Sequence, residues 1–171
     1  MKTIETLTWY LEMKSKPALG VPLPEGFTVA QYLQPEVKDY LSIYKAVGGK
    51  YHWYDRLLMN EDDLNAILHH ENTSVWFLKY NGQTAGFVEF NYCGNETEIV
   101  YFGLCENFTG RKAGFPFLCW AIEHAWQEPI TRLWLHTCDL DHPAALPLYQ
   151  KAGFVVYKTE TIVQPILTDG N

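Results

Sequence analysis

The sequence predicts an α/β fold: a mixed, mostly antiparallel twisted sheet flanked by helices, with an extra strand at the N-terminus. Three observations predict it. Two β-rich runs surround Asn81-Gly82 in "SVWFLKYNGQTAGFVEFNY", and Asn-Gly favours the positive φ values of a two-residue hairpin turn. "TEIVYFGL", residues 97 to 104, is apolar at nearly every position past Glu98, as a central strand covered on both faces should be. The order hairpin, strand, helix, strand, helix, strand then argues for a mixed sheet with helices on its faces.

Each element has its own signal. In "LTWYLEM" the apolar Leu7, Trp9, Leu11 and Met13 alternate with Thr8, Tyr10 and Glu12, the period of a strand with one wetter face. "KPALGVPLPEG", residues 16 to 26, is a proline-rich and glycine-rich linker. "FTVAQYL" reads as a strand, and "PEVKDYLSIYKAV" as a helix punctuated by proline before it and Gly48-Gly49 after it. "NEDDLNAILHH" offers Asn60 as N-cap, three carboxylates in the first turn and two histidines at the C-terminal end, the arrangement the helix dipole favours.

After residue 104 comes "CENFTGRKAGF", then a helical stripe of Phe117, Leu118, Ala121, Ile122 and Ala125 that ends before Pro129. "RLWLHT" is a further strand. "DHPAALPLYQKAGF" reads as a short helix capped by Asp141 or His142, with Pro143 in its first turn and Gly153 ending it. Pro147 removes an internal hydrogen bond and is expected to bend this helix. "FVVYKTETIV" closes the sheet as a strand or a long hairpin.

At 171 residues, 47% hydrophobic and 15% aromatic, the chain is expected to fold as a single domain over 1–171 with large rings in its core or lining a pocket. Residues 1–24 make the N-terminal strand and linker. A formal net charge of −7 disfavours nucleic acid and leans toward a cationic partner. No apolar run reaches the roughly 18 residues that span a bilayer, and the first residues lack a signal peptide's hydrophobic segment. The chain therefore reads as cytoplasmic, with no membrane partner. Its four cysteines are too widely spaced for a paired metal or redox motif, and reduced thiols are the default.

The loop "TGRKAG" opens a helix, where backbone N–H groups attract anions, and Arg111 and Lys112 add positive charge there. No Gly-Lys-Ser or Gly-Lys-Thr follows, and no acidic residue ends the next strand at Thr137, which argues against ATP and NAD. His136, Cys138, Asp141 and His142 are all of ligand type, but they lack a completing set, and no metal is expected.

In this loop and in "HPAALPLYQKAGF" the sequence resembles the GNAT superfamily of acyl-CoA-dependent N-acyltransferases, and the stretch "HTCDLDHPAALPLYQKAGF" looks like an uncharacterised bacterial branch of it. The family loop runs Arg or Gln, two residues, Gly, one residue, Gly or Ala. Gly110, Arg111, Ala113 and Gly114 look familiar in that frame, while Thr109 and Lys112 depart from it. The second motif matches at Ala145, Leu148, Tyr149, Gly153 and Phe154, with His142 where Asn is usual.

The resemblance implies acetyl-CoA as cosubstrate, a CoA-binding core over 97–154, and direct attack by a primary amine of a small molecule or protein in a ternary complex. It assigns Phe102, Gly103 and Leu104 to the pantetheine arm, and Thr109, Gly110, Arg111, Lys112, Ala113 and Gly114 to the diphosphate, with His142 nearby. A backbone N–H near Leu104 is then expected to polarise the thioester carbonyl.

Glu98 sits where related enzymes carry a catalytic glutamate and is the expected general base, sharing a strand face with Val100, Phe102 and Leu104. Glu89 on the neighbouring strand is the alternate base or an acceptor contact. Tyr149 resembles the family's general acid. His52, Trp53, Tyr54 and Arg56 are expected to wall the acceptor, with Arg56 as a cation for a substrate carboxylate. The competing expectation is a noncatalytic acyl-CoA-binding module, motivated by Lys112. The N-terminal strand suggests pairing across a homodimer.

Overall fold

The computed structural model describes residues 2–166. The alternating and helical patterns become β1 (Lys2–Met13), β2 (Phe27–Gln31), α1 (Val37–Gly48), α2 (Asp55–Leu58), α3 (Glu61–Leu68), β3 (Thr73–Tyr80) and β4 (Gln83–Cys93). Then follow β5 (Glu96–Leu104), α4 (Gly114–Ala125), β6 (Arg132–Cys138), α5 (Ala145–Lys151) and β7 (Val155–Ile166), with 3-10 turns at Gly49–Tyr51 and Glu106–Phe108. The strands form one sheet in the order β2-β3-β4-β5-β6-β1-β7. Every neighbouring pair is antiparallel except β5 and β6.

Local chemistry explains the turns. Asn81 and Gly82 have φ of 48° and 87°, both positive as a twisted two-residue hairpin requires, and Tyr80 pairs directly with Gln83. The Asn60 side chain accepts from the Asp62 N–H at 2.8 Å, capping α3 as expected. His69 and His70 serve the end of that helix, their Nδ1 atoms against the Asn65 carbonyl and the Asn72 N–H.

Two expectations are corrected and one is narrowed. α5 begins at Ala145 with Ala144 as its N-cap residue, later than the predicted cap at Asp141 or His142. Pro147 is thereby the third helical residue, where an N–H has no intrahelical acceptor anyway, so no bond is lost. Second, β1 lies inside the sheet: Thr8–Glu12 pairs with β6 on one side and β7 on the other. Over that span both edges are used within the chain, while Lys2–Thr6 pairs with β7 alone, so an open edge is left only at that end.

Third, the pairing of β4 with β5 shifts between Glu89 and Phe90, matching Glu89 to Tyr101 but Phe90 to Ile99. Val100 is the extra residue of a β-bulge, and a bulge reverses the alternation beyond it. Glu98 consequently shares its face with Tyr101 and Glu89, and Phe102 turns to the opposite face.

Each face is covered by a helix. Tyr40 and Tyr44 of α1 pack against Phe87 and Tyr101, while Phe117 of α4 packs on Phe102. Tyr40, Tyr44, Phe87, Phe117 and Leu118 are 0% exposed, and burying a Phe or Leu side chain stabilises by roughly 1.5–3 kcal/mol.

The parallel contact between β5 and β6 is short, Glu96–Glu98 against Arg132–Trp134. Its closed end is pinned by Arg132, which donates to Glu12 at 2.5 Å and Glu96 at 3.1 Å. Past Glu98, β5 continues beside β4 to Leu104 and β6 continues beside β1 to Cys138. The sheet opens between them.

Candidate active site

Two cavities lie where β5 and β6 part, and Tyr51, Trp53, Phe102, Asp141 and Tyr149 line both. The larger, about 380 Å³, lies between the end of β5, the loop before α4 and the start of α5. Of the ten residues expected to bind CoA, only Arg111 is absent from its lining. Arg111 instead lies over the rings of Tyr80 and Phe108, at 5.0 and 5.3 Å.

The loop turns sharply at Gly110 and Lys112, with φ of 84° and 58°. Lys112 therefore takes the left-handed backbone that glycine usually supplies, at a cost of about 1 kcal/mol or more. No side chain caps α4, and its third residue is Pro116, which has no N–H. The N–H groups of Gly114 and Phe115 are thus left at the helix start, where the dipole is positive. Gly103 allows a close approach of α1, since a Cβ there would come within 2.4 Å of Val47 Cγ1, and Ala113 is buried.

The smaller cavity, about 130 Å³, is walled by Tyr44, His52, Trp53, Tyr54 and Tyr101, floored by Ile99 and Leu135, and edged by Asp55 and His136. Trp53 fits because Gly48 has no side chain: a Cβ there would meet the indole at 2.0 Å. The Trp53 Nε1–H donates to Asp141 at 2.9 Å, tying the segment after α1 to the turn before α5. Asp141 also accepts from the Thr137 hydroxyl and, at 3.0 Å, from the Cys138 N–H. This carboxylate holds the junction of the two cavities in place.

Arg56 and Glu89 lie beside this wall without lining either cavity. The Arg56 Nη2–H donates to Glu89 at 2.7 Å, and the Tyr40 hydroxyl donates to the other oxygen at 2.5 Å. Glu89 is 1% exposed, and its charge is neutralised in place by the guanidinium, which also stacks 5.3 Å from the Tyr101 centroid. Each partner is engaged by the other, and removing one would leave a buried charge unpaired.

Glu98, half-buried, lies outside both linings but brings Oε1 to 3.9 Å from His136 Nε2, and His136 reaches the smaller cavity. Burial raises the Glu98 pKa, Glu89 adds to the rise, and Arg56 opposes it. Burial lowers the His136 pKa, against the pull of Asp141 and Asp55. The two groups approach one another in acidity, which lowers the cost of moving a proton between them.

Tyr149 is 8% exposed. Its pKa is pushed well above the usual phenol value by burial and by Asp141, so it remains a hydrogen-bond donor at neutral pH. His142, at the mouth of the larger cavity, accepts from the Ala144 N–H at 2.9 Å. Sequence reasoning missed Asp55, Tyr44 and Tyr101 as cavity residues, and it weighed His136 and Asp141 only for a metal or a cap. Their positions depend on the bulge and on where β6 diverges, which no local pattern encodes. Among the described residues, no three His, Cys, Asp or Glu side chains come together as a metal cluster. No described helix is long and apolar enough to cross a membrane.

The family model for the acetyltransferase (GNAT) family matches residues 36–154. No curated protein matches. Among solved structures, a GCN5-related N-acetyltransferase from Sphaerobacter thermophilus superposes with TM-score 0.66 at 16% identity over 92% of this chain and 50% of its own. A tandem GNAT protein from the clavulanic acid biosynthesis pathway gives 0.65 at 12% identity over 92% and 52%. An aminoglycoside acetyltransferase from an uncultured soil metagenomic sample, in complex with sisomicin, gives 0.63 at 8% over 85% and 96%. The chain spans about half the length of the first two. At these identities the superpositions establish the fold.

Proposed function

The chain belongs to the acetyltransferase (GNAT) family, and on that premise we propose that it transfers an acetyl group from acetyl-CoA to a primary amine by direct attack in a ternary complex. The observation that carries this reading is the pair of cavities that share Tyr149, Asp141 and Trp53 in the opening of the sheet, one for each substrate.

The larger cavity suits the CoA. The Gly114 and Phe115 N–H groups and Lys112 offer positive potential to the diphosphate, and the β5 edge past Glu98 has no strand partner on the β6 side, leaving backbone groups for the pantetheine amides. The thioester supplies an activated acyl carbon. A C–N bond forms as the C–S bond breaks, and the sulfur leaves as thiolate.

The residues around it manage two protons. An alkylammonium with pKa near 10.4 must be deprotonated before it attacks, and Glu98 takes that proton across His136, which burial keeps neutral. Tyr149, held protonated, donates to the departing sulfur; a phenol near pKa 10 is a weaker acid than a thiol near 8.5, so its part is a stabilising hydrogen bond more than full transfer.

The test is amine-dependent release of CoA thiol over a panel of primary amines, for wild type and Glu98→Gln. The expected result is turnover in the wild type and a loss of roughly 10²- to 10⁴-fold in the variant. Binding of acetyl-CoA with no release for any amine, and no effect of Glu98→Gln, would replace the enzyme with a binding module.

A further inference from the structure

The smaller cavity specifies its occupant by charge. Its walls are aromatic: Tyr44 and Tyr101 meet edge to face at 5.1 Å, and Trp53 tilts against Tyr101 at 5.2 Å. No lysine or arginine is among its lining residues, which carry two carboxylates, Asp55 and Asp141. The Asp141 carboxylate is engaged by Trp53, Thr137 and the Cys138 N–H. Asp55, exposed at the rim, has no cationic partner among the described residues.

The nearest guanidinium, Arg56, is committed to Glu89. A carboxylate-bearing acceptor would meet Asp55 and no free cation, so the cavity works against it. A second positive charge would meet a rim carboxylate and electron-rich ring faces together. A cavity volume of about 130 Å³ limits the acceptor to a short chain.

Resting on the acetyl-transfer reading above, we infer that the acceptor is a small aliphatic diammonium compound: one amine is acylated and the second stays protonated against Asp55 and the aromatic wall. The selectivity comes from this chain's Asp55 and from the neutralisation of Arg56 by Glu89.

The experiment compares kcat/KM for three acceptors of equal length, 1,4-diaminobutane, butylamine and 4-aminobutyrate, in wild type, Asp55→Asn and Asp55→Glu. The expected wild-type order is diamine over monoamine over amino acid, with on the order of tenfold between the first two. The diamine-to-monoamine ratio should fall toward one in Asp55→Asn and be largely restored in Asp55→Glu. Equal use of diamine and monoamine by the wild type would overturn this inference while leaving the transferase reading intact. Preference for a lysine peptide, independent of Asp55, would also overturn it. If no amine releases CoA, the transferase reading fails, and the diamine is then scored by thermal stabilisation: a shift that Asp55→Asn abolishes keeps the cation site, and no shift removes it.

Discussion

At the residue scale, Tyr149 and Glu98 give opposite kinds of evidence. Tyr149 is buried and kept protonated at the junction of the two cavities, so removing its hydroxyl should cost transition-state stabilisation more than acceptor binding. Tyr149→Phe is expected to lower kcat by roughly ten- to a thousandfold with little change in KM, measured by steady-state CoA release. Glu98 must be ionised to accept a proton, and burial raises its pKa. Activity should therefore fall with decreasing pH through a midpoint above that of an ordinary glutamate, and this acid limb should vanish in Glu98→Gln. Glu98 and Tyr149 could be proposed from the sequence because the family resemblance marks a strand position for one and a motif position for the other. Asp55 could not be: it belongs to a four-residue helix, and nothing in "YDRLLM" says that Arg56 will be neutralised by a residue 33 positions away.

At the scale of elements, the fit of α1 against β5 decides whether the larger cavity keeps its shape. Gly103 leaves no room for a Cβ beside Val47, and valine cannot rotate far out of the way. Gly103→Ala should destabilise the fold by about 1–3 kcal/mol and weaken acetyl-CoA binding, read by denaturant titration and by calorimetry. The helices and the hairpin were legible in "NEDDLNAILHH" and "YNGQ" because capping and turn chemistry are local. The bulge at Val100 was not, since strict alternation was the only guide to which face Glu98 occupies. The late start of α5 was missed for a related reason: Asp141 looks like a helix cap, yet its oxygens are used by Trp53, Thr137 and the Cys138 N–H.

At the scale of the molecule, the site exists because one sheet divides. Acetyl-CoA that fills the larger cavity should contribute about 2.7 kcal/mol at a concentration 100 times its dissociation constant, raising the thermal midpoint by several degrees, with ATP and NAD producing no shift. The order of strands was legible only in outline. The N-terminal strand was readable as a strand, but its alternation misplaced Leu7, which is 39% exposed, and Thr8, which is 1% exposed, because the pairing with β7 shifts between Tyr10 and Leu11. Its seat between β6 and β7 is a long-range pairing that carries no local signature. What the sequence displayed was the glycine-bearing loop before α4 and the motif around α5; what it concealed was the gap between β5 and β6 that both of them face.

The interior seat of β1 also sets a timetable. Glu12 meets Arg132 across 120 positions, so a chain emerging from the ribosome presents β1 long before either neighbour has been made. The strand waits, half apolar, until β6 and β7 have been made. Loop closure over that distance makes completion of the sheet a late, slow step. A segment made before both of its neighbours is thus among the last to find its place.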